Sequence, residues 1–132
     1  MRLGTDIIEI DRIRQAVERQ PRFPEKVLSA AELNLYQDFR EERRMSFLAG
    51  RFSVKEAYGK AMGTGIGRIS FTDISILPND MGAPVLVSAP LVESVHLSIS
   101  HSRDYATATV IVDLPDEEIE TALKLFLENK YK

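Results

Sequence analysis

The chain has 132 residues, of which 44% are hydrophobic and 28% are charged, a composition typical of one globular domain, so we expect a single domain over residues 1–132. Its formal net charge of −3 argues against a general nucleic-acid binder and against a protein that binds anionic membranes. The absence of cysteine excludes disulfides, cysteine-ligated metal sites and a thiol nucleophile.

The pattern of the N-terminal segment predicts a strand, and its composition is not the one expected of a signal peptide. Its first dozen residues include three acids, and no apolar run in the chain approaches the roughly 18 residues of a membrane span, so we expect a cytoplasmic protein without a signal peptide or transmembrane helix. Residues 2–8 alternate between two faces, which predicts a strand with Gly4, Asp6 and Ile8 on one side. Asp6 therefore interrupts an otherwise apolar face.

Three helices are predicted next. Apolar residues recur at helical spacing from Ile10 until Pro21, which predicts a helix with a basic outer face. Ser29 and Glu32 have the spacing of a capping box and predict the start of a second helix. The longest helix is predicted from about Glu41 to Met62, and because few of its positions are polar we expect it to lie centrally.

The predicted central helix carries a row of cations on its mostly apolar surface. Arg44, Arg51 and Lys55 are spaced by seven and then four residues, which stacks them along one line of the helix. Such a row is unfavourable on a buried helix unless an anion meets it. Gly63 is expected to end the helix as a left-handed cap. The loop that continues to Gly67 offers backbone N–H groups, but it lacks the order of a recognised phosphate-binding motif.

The second half of the chain predicts two hairpins and a final helix. Residues 71–77 and 84–88 flank a turn rich in Pro, Asn, Asp and Gly, which predicts the first hairpin. Residues 95–100 and 105–112 predict the second. The acidic segment after Pro115 is typical of a helix start, and the inward face is expected to consist of Ile119, Ala122, Leu123 and Phe126. Helices early and hairpins late favour the α+β class.

Two inward-facing acids are the first candidates for chemistry. Asp6 on a strand and Glu56 on a nearly apolar helix are each costly unless paired or bound to a metal. For either residue alone, a salt bridge to a neighbouring Arg or Lys is the simpler interpretation. Together, two carboxylates with water and phosphate oxygens are the usual ligands of Mg²⁺, and the cations Arg51 and Lys55 beside them would suit the same phosphates.

Three segments resemble the signature regions of a known family. They are Gly4–Ile13 (GTDIIEIDRI), Phe47–Gly67 (FLAGRFSVKEAYGKAMGTGIG) and His96–Ser102 (HLSISHS). In this order, and with this chain length, they are similar to the holo-(acyl-carrier-protein) synthases, the short phosphopantetheinyl transferases of bacteria. The resemblance implies the α+β phosphopantetheinyl transferase fold, with helices packed on a small antiparallel sheet in a trimer-forming protein.

The resemblance also implies an activity. Such an enzyme transfers 4′-phosphopantetheine from coenzyme A to a serine of apo acyl carrier protein, requires Mg²⁺ and releases adenosine 3′,5′-bisphosphate. This reaction activates the carrier for fatty acid biosynthesis. Family members are homotrimers with sites at the subunit interfaces.

The resemblance further implies roles for individual residues. The metal-binding acids fall on Asp6 and Glu56, and Lys60 is expected to add positive charge to the transition state. The serine proton is expected to pass to Asp6, to a metal-held water or to Glu56, and of these we favour Asp6 or its water. The coenzyme A contacts fall on Arg51, Lys55, Lys60, Gly63, Thr64, Gly65, His101 and Ser102. The acidic carrier helix is expected to dock on Arg12, Arg14, Arg19 and Arg22.

Two other classes of function remain open at this point. A different Mg²⁺-dependent nucleotide enzyme would use the same acids and cations without a protein acceptor. A non-catalytic module would bind coenzyme A or a carrier protein without releasing adenosine bisphosphate. The intact set of Asp6, Glu56 and Lys60 favours an enzyme over such a module.

Overall fold

The computed structural model describes all 132 residues and contains five α-helices and five strands. The helices are α1 (Ile10–Arg19), α2 (Phe23–Val27), α3 (Ala30–Asp38), α4 (Glu41–Met62) and α5 (Asp116–Lys130). The strands are β1 (Arg2–Glu9), β2 (Ser75–Pro78), β3 (Pro84–Ser88), β4 (Val95–His101) and β5 (Tyr105–Val112). Three strands form an antiparallel sheet in the order β1-β5-β4, and β2 pairs with β3 in a separate hairpin. The predicted α+β class is confirmed.

Helix α4 is the centre of the hydrophobic core, as predicted. Of its 22 residues, 13 are buried. Its C-terminal half packs on the sheet, the β2–β3 hairpin and α5. In this cluster Tyr58 of α4 lies with Val110 of β5 and Ile119 of α5. Its N-terminal half packs on the first three helices through Leu48 and its neighbours. Because α4 is covered on several sides at once, every charged residue on it needs a partner or a route to solvent.

Strand β1 approaches α4 backbone to backbone at Gly4. A Cβ atom at this position would lie 1.9 Å from the carbonyl oxygen of Ala57 and 2.8 Å from the amide nitrogen of Ala61. Only glycine therefore allows this contact. Side chains alternate along a strand, so Asp6 also faces α4, and the predicted inward face of Gly4, Asp6 and Ile8 is confirmed.

Two short elements differ from the sequence-based expectation. Helix α2 was not predicted, and it forms because proline is tolerated in a first helical turn, where Pro24 lies. The strand expected over 71–77 begins only at Ser75. Phe71–Asp73 forms a 3₁₀ turn instead, in which the Ser70 N–H donates to the Asp73 carboxylate at 2.8 Å. This local cap overrides the alternating pattern of the segment.

Helix α5 follows Pro115 and closes one side of the core. Ile119 is completely buried, and three further residues of the predicted inward face are half-buried: Ala122, Leu123 and Phe126. None of the helices combines the length and the apolar character needed to cross a bilayer.

Gly4→Ala tests the contact between β1 and α4. The added methyl group would overlap the Ala57 carbonyl, so we expect the free energy of unfolding to fall by at least about 2 kcal/mol. Gly67→Ala is the matched control, because a Cβ at Gly67 meets nothing within 4 Å. Urea denaturation of the two variants measures the difference, and equal stability would contradict the close approach.

Candidate active site

Asp6 and Lys60 meet where β1 faces the C-terminal half of α4. The ammonium of Lys60 lies 3.2 Å from a carboxylate oxygen of Asp6 and donates to the Thr5 carbonyl at 2.9 Å. The Asp6 carbonyl accepts hydrogen bonds from the hydroxyls of Ser53, at 3.1 Å, and Thr107, at 2.9 Å. Helix α4 and strand β5 therefore hold the Asp6 backbone from two sides.

Glu56 lies one helical turn before Lys60, on the same side of α4. It is half-buried, and its carboxylate has no hydrogen-bond or salt-bridge partner within the chain. Burial raises the pKa of Glu56, the negative charge of Asp6 raises it further, and Lys60 opposes both effects. We call Asp6, Glu56 and Lys60 the carboxylate half-site.

The chemistry of the carboxylate half-site fits Mg²⁺. Two carboxylates that repel one another, one of them without a partner, are hard oxygen donors of the type that this ion prefers. No group of three or more His, Asp or Glu side chains is placed to form a metal cage made of protein alone. The two acids therefore suit an ion that takes most of its remaining ligands from water and phosphate.

The row of cations on α4 is met by acceptors of the protein itself. Arg44 donates to the carbonyl of Tyr36 at 3.1 Å and to that of Gln37 at 2.6 Å. Lys55 is completely buried and donates to the Val27 carbonyl at 2.7 Å. Its ammonium also lies 2.5 Å from the Glu32 carboxylate. The predicted contact between Lys55 and coenzyme A does not fit this structure, because no atom of Lys55 reaches the surface.

Glu32 is the buried anion that this row requires. It completes the predicted capping box of α3, since the Ser29 N–H donates to its carboxylate at 2.8 Å. The same carboxylate accepts the Ile76 N–H at 2.9 Å and lies 3.7 Å from the guanidinium of Arg51. Sequence analysis identified Glu32 only as a capping residue, and the cation row was the one signal that an internal anion was needed.

Arg51 and His101 line a cavity at a second location. The cavity has a volume of about 440 Å³, and Arg43 is its third basic residue. The Arg51 guanidinium donates to a main-chain carbonyl at 3.0 Å and lies 4.3 Å from the ring centre of Phe47. Arg43 was not among the predicted site residues. We call Arg43, Arg51 and His101 the arginine half-site, because two guanidinium groups and an imidazole are suited to an anion.

Ser102 follows His101 in the turn between β4 and β5. Its N–H donates to the Tyr105 carbonyl at 2.8 Å, and its hydroxyl accepts the Tyr105 N–H at 3.3 Å. The hydroxyl thus closes the turn that ends the strand of His101.

The two half-sites lie at opposite edges of the three-stranded sheet. Asp6 is on edge strand β1 and His101 on edge strand β4, with β5 between them. Two strand spacings correspond to about 9.5 Å. Around α4, Glu56 and Arg51 are about 140° apart. The lining of the cavity contains no member of the carboxylate half-site, so one chain presents two half-sites and not one continuous pocket.

The turn after α4 acts as a helix cap. Gly63 has a φ of 82°, in the left-handed region, and its N–H donates to the Lys60 carbonyl at 3.1 Å. The N–H groups of Thr64 and Gly65 donate to the Gly59 carbonyl at 3.2 and 2.9 Å. These three amides are occupied, so a coenzyme A contact at this turn would have to use its other atoms.

The four arginines predicted for carrier docking differ in whether they form a salt bridge within the chain. Arg14 lies 3.2 Å from Asp11, and Arg22 lies 2.7 Å from Glu25. The exposed Arg12 and Arg19 form no salt bridge within the chain. These two arginines are therefore the members of the group with no charge partner of their own.

Comparison with known proteins extends the similarity to 84% of the chain. The model of the 4′-phosphopantetheinyl transferase superfamily matches residues 2–110. A holo-(acyl-carrier-protein) synthase from Geobacillus kaustophilus is 49% identical over 112 residues, which cover 84% of this chain and 87% of that protein. One from Streptococcus thermophilus is 49% identical over 110 residues, which cover 83% and 92%.

Solved structures give the same result for the fold. A holo-(acyl-carrier-protein) synthase from Bacillus anthracis, in complex with CoA (3′,5′-ADP), superimposes with a TM-score of 0.76 at 44% identity, covering 83% of this chain and 92% of that one. The enzyme from Helicobacter pylori, in complex with coenzyme A, gives a TM-score of 0.73 at 36% identity, covering 84% and 99%. The fold expected from the three signature segments is confirmed.

Lys55→Met tests the structural role of the buried ion pair. The substitution leaves the Glu32 carboxylate buried without its ammonium partner, so we expect the free energy of unfolding to fall by about 3–5 kcal/mol. In the double variant Glu32→Gln/Lys55→Met, most of this loss should be recovered. Arg22→Met is the control, since its pair with Glu25 is exposed, and it should leave urea denaturation unchanged. An unchanged free energy of unfolding in Lys55→Met would contradict the structural role of the buried pair.

Proposed function

Because the chain belongs to the 4′-phosphopantetheinyl transferase superfamily, and within it to the holo-(acyl-carrier-protein) synthases, we propose that it transfers 4′-phosphopantetheine from coenzyme A to a serine of apo acyl carrier protein. The observation that carries the proposal is the meeting of Asp6, Glu56 and Lys60 at one edge of the sheet. The proposal includes one transferase domain over residues 1–132, a cytoplasmic location and a role in fatty acid biosynthesis.

The proposed reaction is a phosphoryl-type transfer. The carrier serine oxygen attacks the β-phosphorus of coenzyme A, the bond from that phosphorus to the bridging oxygen breaks, and adenosine 3′,5′-bisphosphate leaves. Mg²⁺, held by Asp6 and Glu56, would neutralise negative charge on the pyrophosphate. In-line transfers of this kind depend mainly on positioning and on charge stabilisation.

The side chains of the carboxylate half-site have distinct tasks in this proposal. Lys60 adds a positive charge beside the reacting phosphate, and its contact with Asp6 holds the ammonium in place. The serine proton passes to Asp6 or to a water beside it. Glu56 is the alternative acceptor, since its carboxylate has no hydrogen-bond partner.

The arginine half-site suits the phosphate groups at the nucleotide end of coenzyme A. Arg51 and His101 are two of the contacts that the family resemblance implies, and Arg43 adds a third basic group to the same cavity. Burial of Arg51 strengthens its interaction with an anion, because the surrounding dielectric is low. We therefore add Arg43 to the proposed coenzyme A contacts and remove Lys55.

A homotrimer would bring half-sites of different subunits together. The outer face of the sheet carries the exposed apolar residues Leu3, Ile7 and Tyr105, which favours contact with another copy of the chain. A heterologous interface in a closed ring can place edge strand β1 of one subunit near edge strand β4 of the next. We propose that each complete site is formed in this way.

Asp6→Asn and Glu56→Gln test the metal-dependent reaction. Each should lower the rate of transfer by at least about 100-fold, because each removes one of the two carboxylates proposed to hold Mg²⁺. The assay incubates protein, coenzyme A, Mg²⁺ and apo acyl carrier protein, and measures the mass of the carrier with and without chelator. Asp80→Asn and Glu93→Gln, at exposed acids, are the controls and should keep the wild-type rate.

The same assay separates the other classes of function. An increase in carrier mass by one phosphopantetheine, seen without chelator and absent with it, supports the proposal. Turnover of a nucleotide without any protein acceptor would indicate a different Mg²⁺-dependent enzyme. Binding of coenzyme A without release of adenosine bisphosphate, for several carriers, would indicate a binding module. Normal transfer by either carboxylate variant would refute the metal assignment.

Charge reversal at Arg12 and Arg19 tests carrier docking on α1. The double variant Arg12→Glu/Arg19→Glu should raise the KM for acyl carrier protein about tenfold and leave the KM for coenzyme A unchanged, because these exposed cations attract the acidic carrier. Added salt should also raise the wild-type KM for carrier, because it screens the attraction between the two charged surfaces. Lys124→Glu/Lys132→Glu, an equal charge change at two exposed positions in and after α5, is the control. An equal loss of affinity for both substrates would contradict a separate docking helix.

A further inference from the structure

Helix α5 lies outside the part of the chain that the superfamily model matches. The superfamily model ends at residue 110, and α5 runs from Asp116 to Lys130. Its apolar face is anchored in the core through Ile119, which is completely buried. Its first end is linked through Arg2 to Met62, the last residue of α4, and its other end contacts the segment 63–70, which joins α4 to the 3₁₀ turn. We call this segment the α4 loop.

The first end of α5 is linked through Arg2 to the end of α4, where the α4 loop begins. The Arg2 guanidinium donates to the carbonyl of Met62, the last residue of α4, at 3.0 Å. It also donates to Asp116 at 2.9 Å and to Glu120 at 3.4 Å. The last carbonyls of a helix lack partners within the helix. Two acids of α5 therefore fix the group that caps the point where the loop begins.

The other end of α5 contacts the end of the same loop through Lys130. The Lys130 ammonium donates to the Arg68 carbonyl at 2.8 Å, to the Ser70 hydroxyl at 2.9 Å and to the Asp73 carboxylate at 2.5 Å. The hydroxyl of Tyr131 donates to the same Arg68 carbonyl at 3.2 Å. Lys130 is largely covered, with 22% of its side chain exposed, so solvent competes weakly for these contacts.

Helix α5 also forms a wall of the cleft beside the carboxylate half-site. The cleft has a volume of about 530 Å³, and Lys60, Gly63 and Thr64 are among the residues that line it. Arg2 and Glu120 line the same cleft. Lys60 belongs to the proposed catalytic group, and Gly63 and Thr64 to the proposed coenzyme A contacts. The loop that α5 holds is therefore continuous with the proposed site.

We infer that α5 is a strap that holds the α4 loop in the conformation that binds coenzyme A, with Arg2 and Lys130 as positioning residues. The inference rests on the proposed function for the identity of the ligand. Lys130 contacts the far end of the loop and none of the proposed catalytic residues, so its effect must pass through the loop itself. Loosening the strap lowers the fraction of molecules with a competent loop, and the apparent affinity falls by the same factor.

Lys130→Met tests the strap, with Lys130→Arg as the rescuing variant and Lys124→Met as the control on the same helix. Calorimetry of the full chain with coenzyme A alone should show a dissociation constant about tenfold weaker for Lys130→Met. Hydrogen exchange should accelerate at the loop amides of Thr64, Gly65 and Gly67, which are bonded within the chain in the wild type. The value of kcat at saturating coenzyme A and the KM for carrier should stay at their wild-type values. Lys130→Arg should restore affinity, and Lys124→Met should change nothing.

Other results would overturn the inference. Unchanged coenzyme A affinity in Lys130→Met would show that the strap does not position the ligand site. Equal acceleration of exchange at the amides of β4 and β5 would show a general loss of stability and not a local role. A wild-type chain that binds coenzyme A without transferring it would refute the proposed function. In that case the coenzyme A affinity and the hydrogen exchange of the Lys130 variants would still test the role of α5. A wild-type chain that does not bind coenzyme A would refute both.

Discussion

Burial of helix α4 on several sides is the constraint on which both half-sites depend. A charged side chain on such a helix must find an internal partner or point along a seam that leads to solvent. Lys55 pairs with Glu32, and this pair connects α3, α4 and the β2–β3 hairpin. Glu56 and Lys60 reach instead the seam along β1, which Gly4 brings against the helix. The same requirement thus produces a structural ion pair on one side of α4 and the carboxylate half-site on the other.

The strand order of the sheet separates the two half-sites within one chain. Its order, β1-β5-β4, places Asp6 on one edge and His101 on the other, so the carboxylate and arginine half-sites of a chain face different directions. Coenzyme A carries a pyrophosphate and a further phosphate on its nucleotide, which would suit the site that we propose, with a metal-binding half and a cationic half. Assembly between subunits would link catalysis to oligomerisation, since a lone chain would hold each half without its complement.

Sequence analysis predicted the elements whose signals are local. The bounds of α4 followed from its apolar surface and Gly63, and the inward orientation of Asp6 followed from alternation in β1. What depends on partners distant in the chain was not predicted. The anion that meets Lys55 is 23 residues away, so the cation row looked like a ligand site. Arg43 gains its place in the cavity only through tertiary packing, and the contacts of α5 with the α4 loop join residues about 60 positions apart.

Complementation between two inactive variants tests the shared site most directly. Asp6→Asn removes the carboxylate half-site and His101→Ala weakens the arginine half-site, so each variant alone should transfer little phosphopantetheine. When the two chains are coexpressed and assemble at random, about one quarter of the interfaces would combine two intact halves. The account predicts that transfer to the carrier recovers to about one quarter of the wild-type rate in such mixtures. No recovery, in mixed oligomers verified by mass, would show that each chain holds a complete site and would contradict the account.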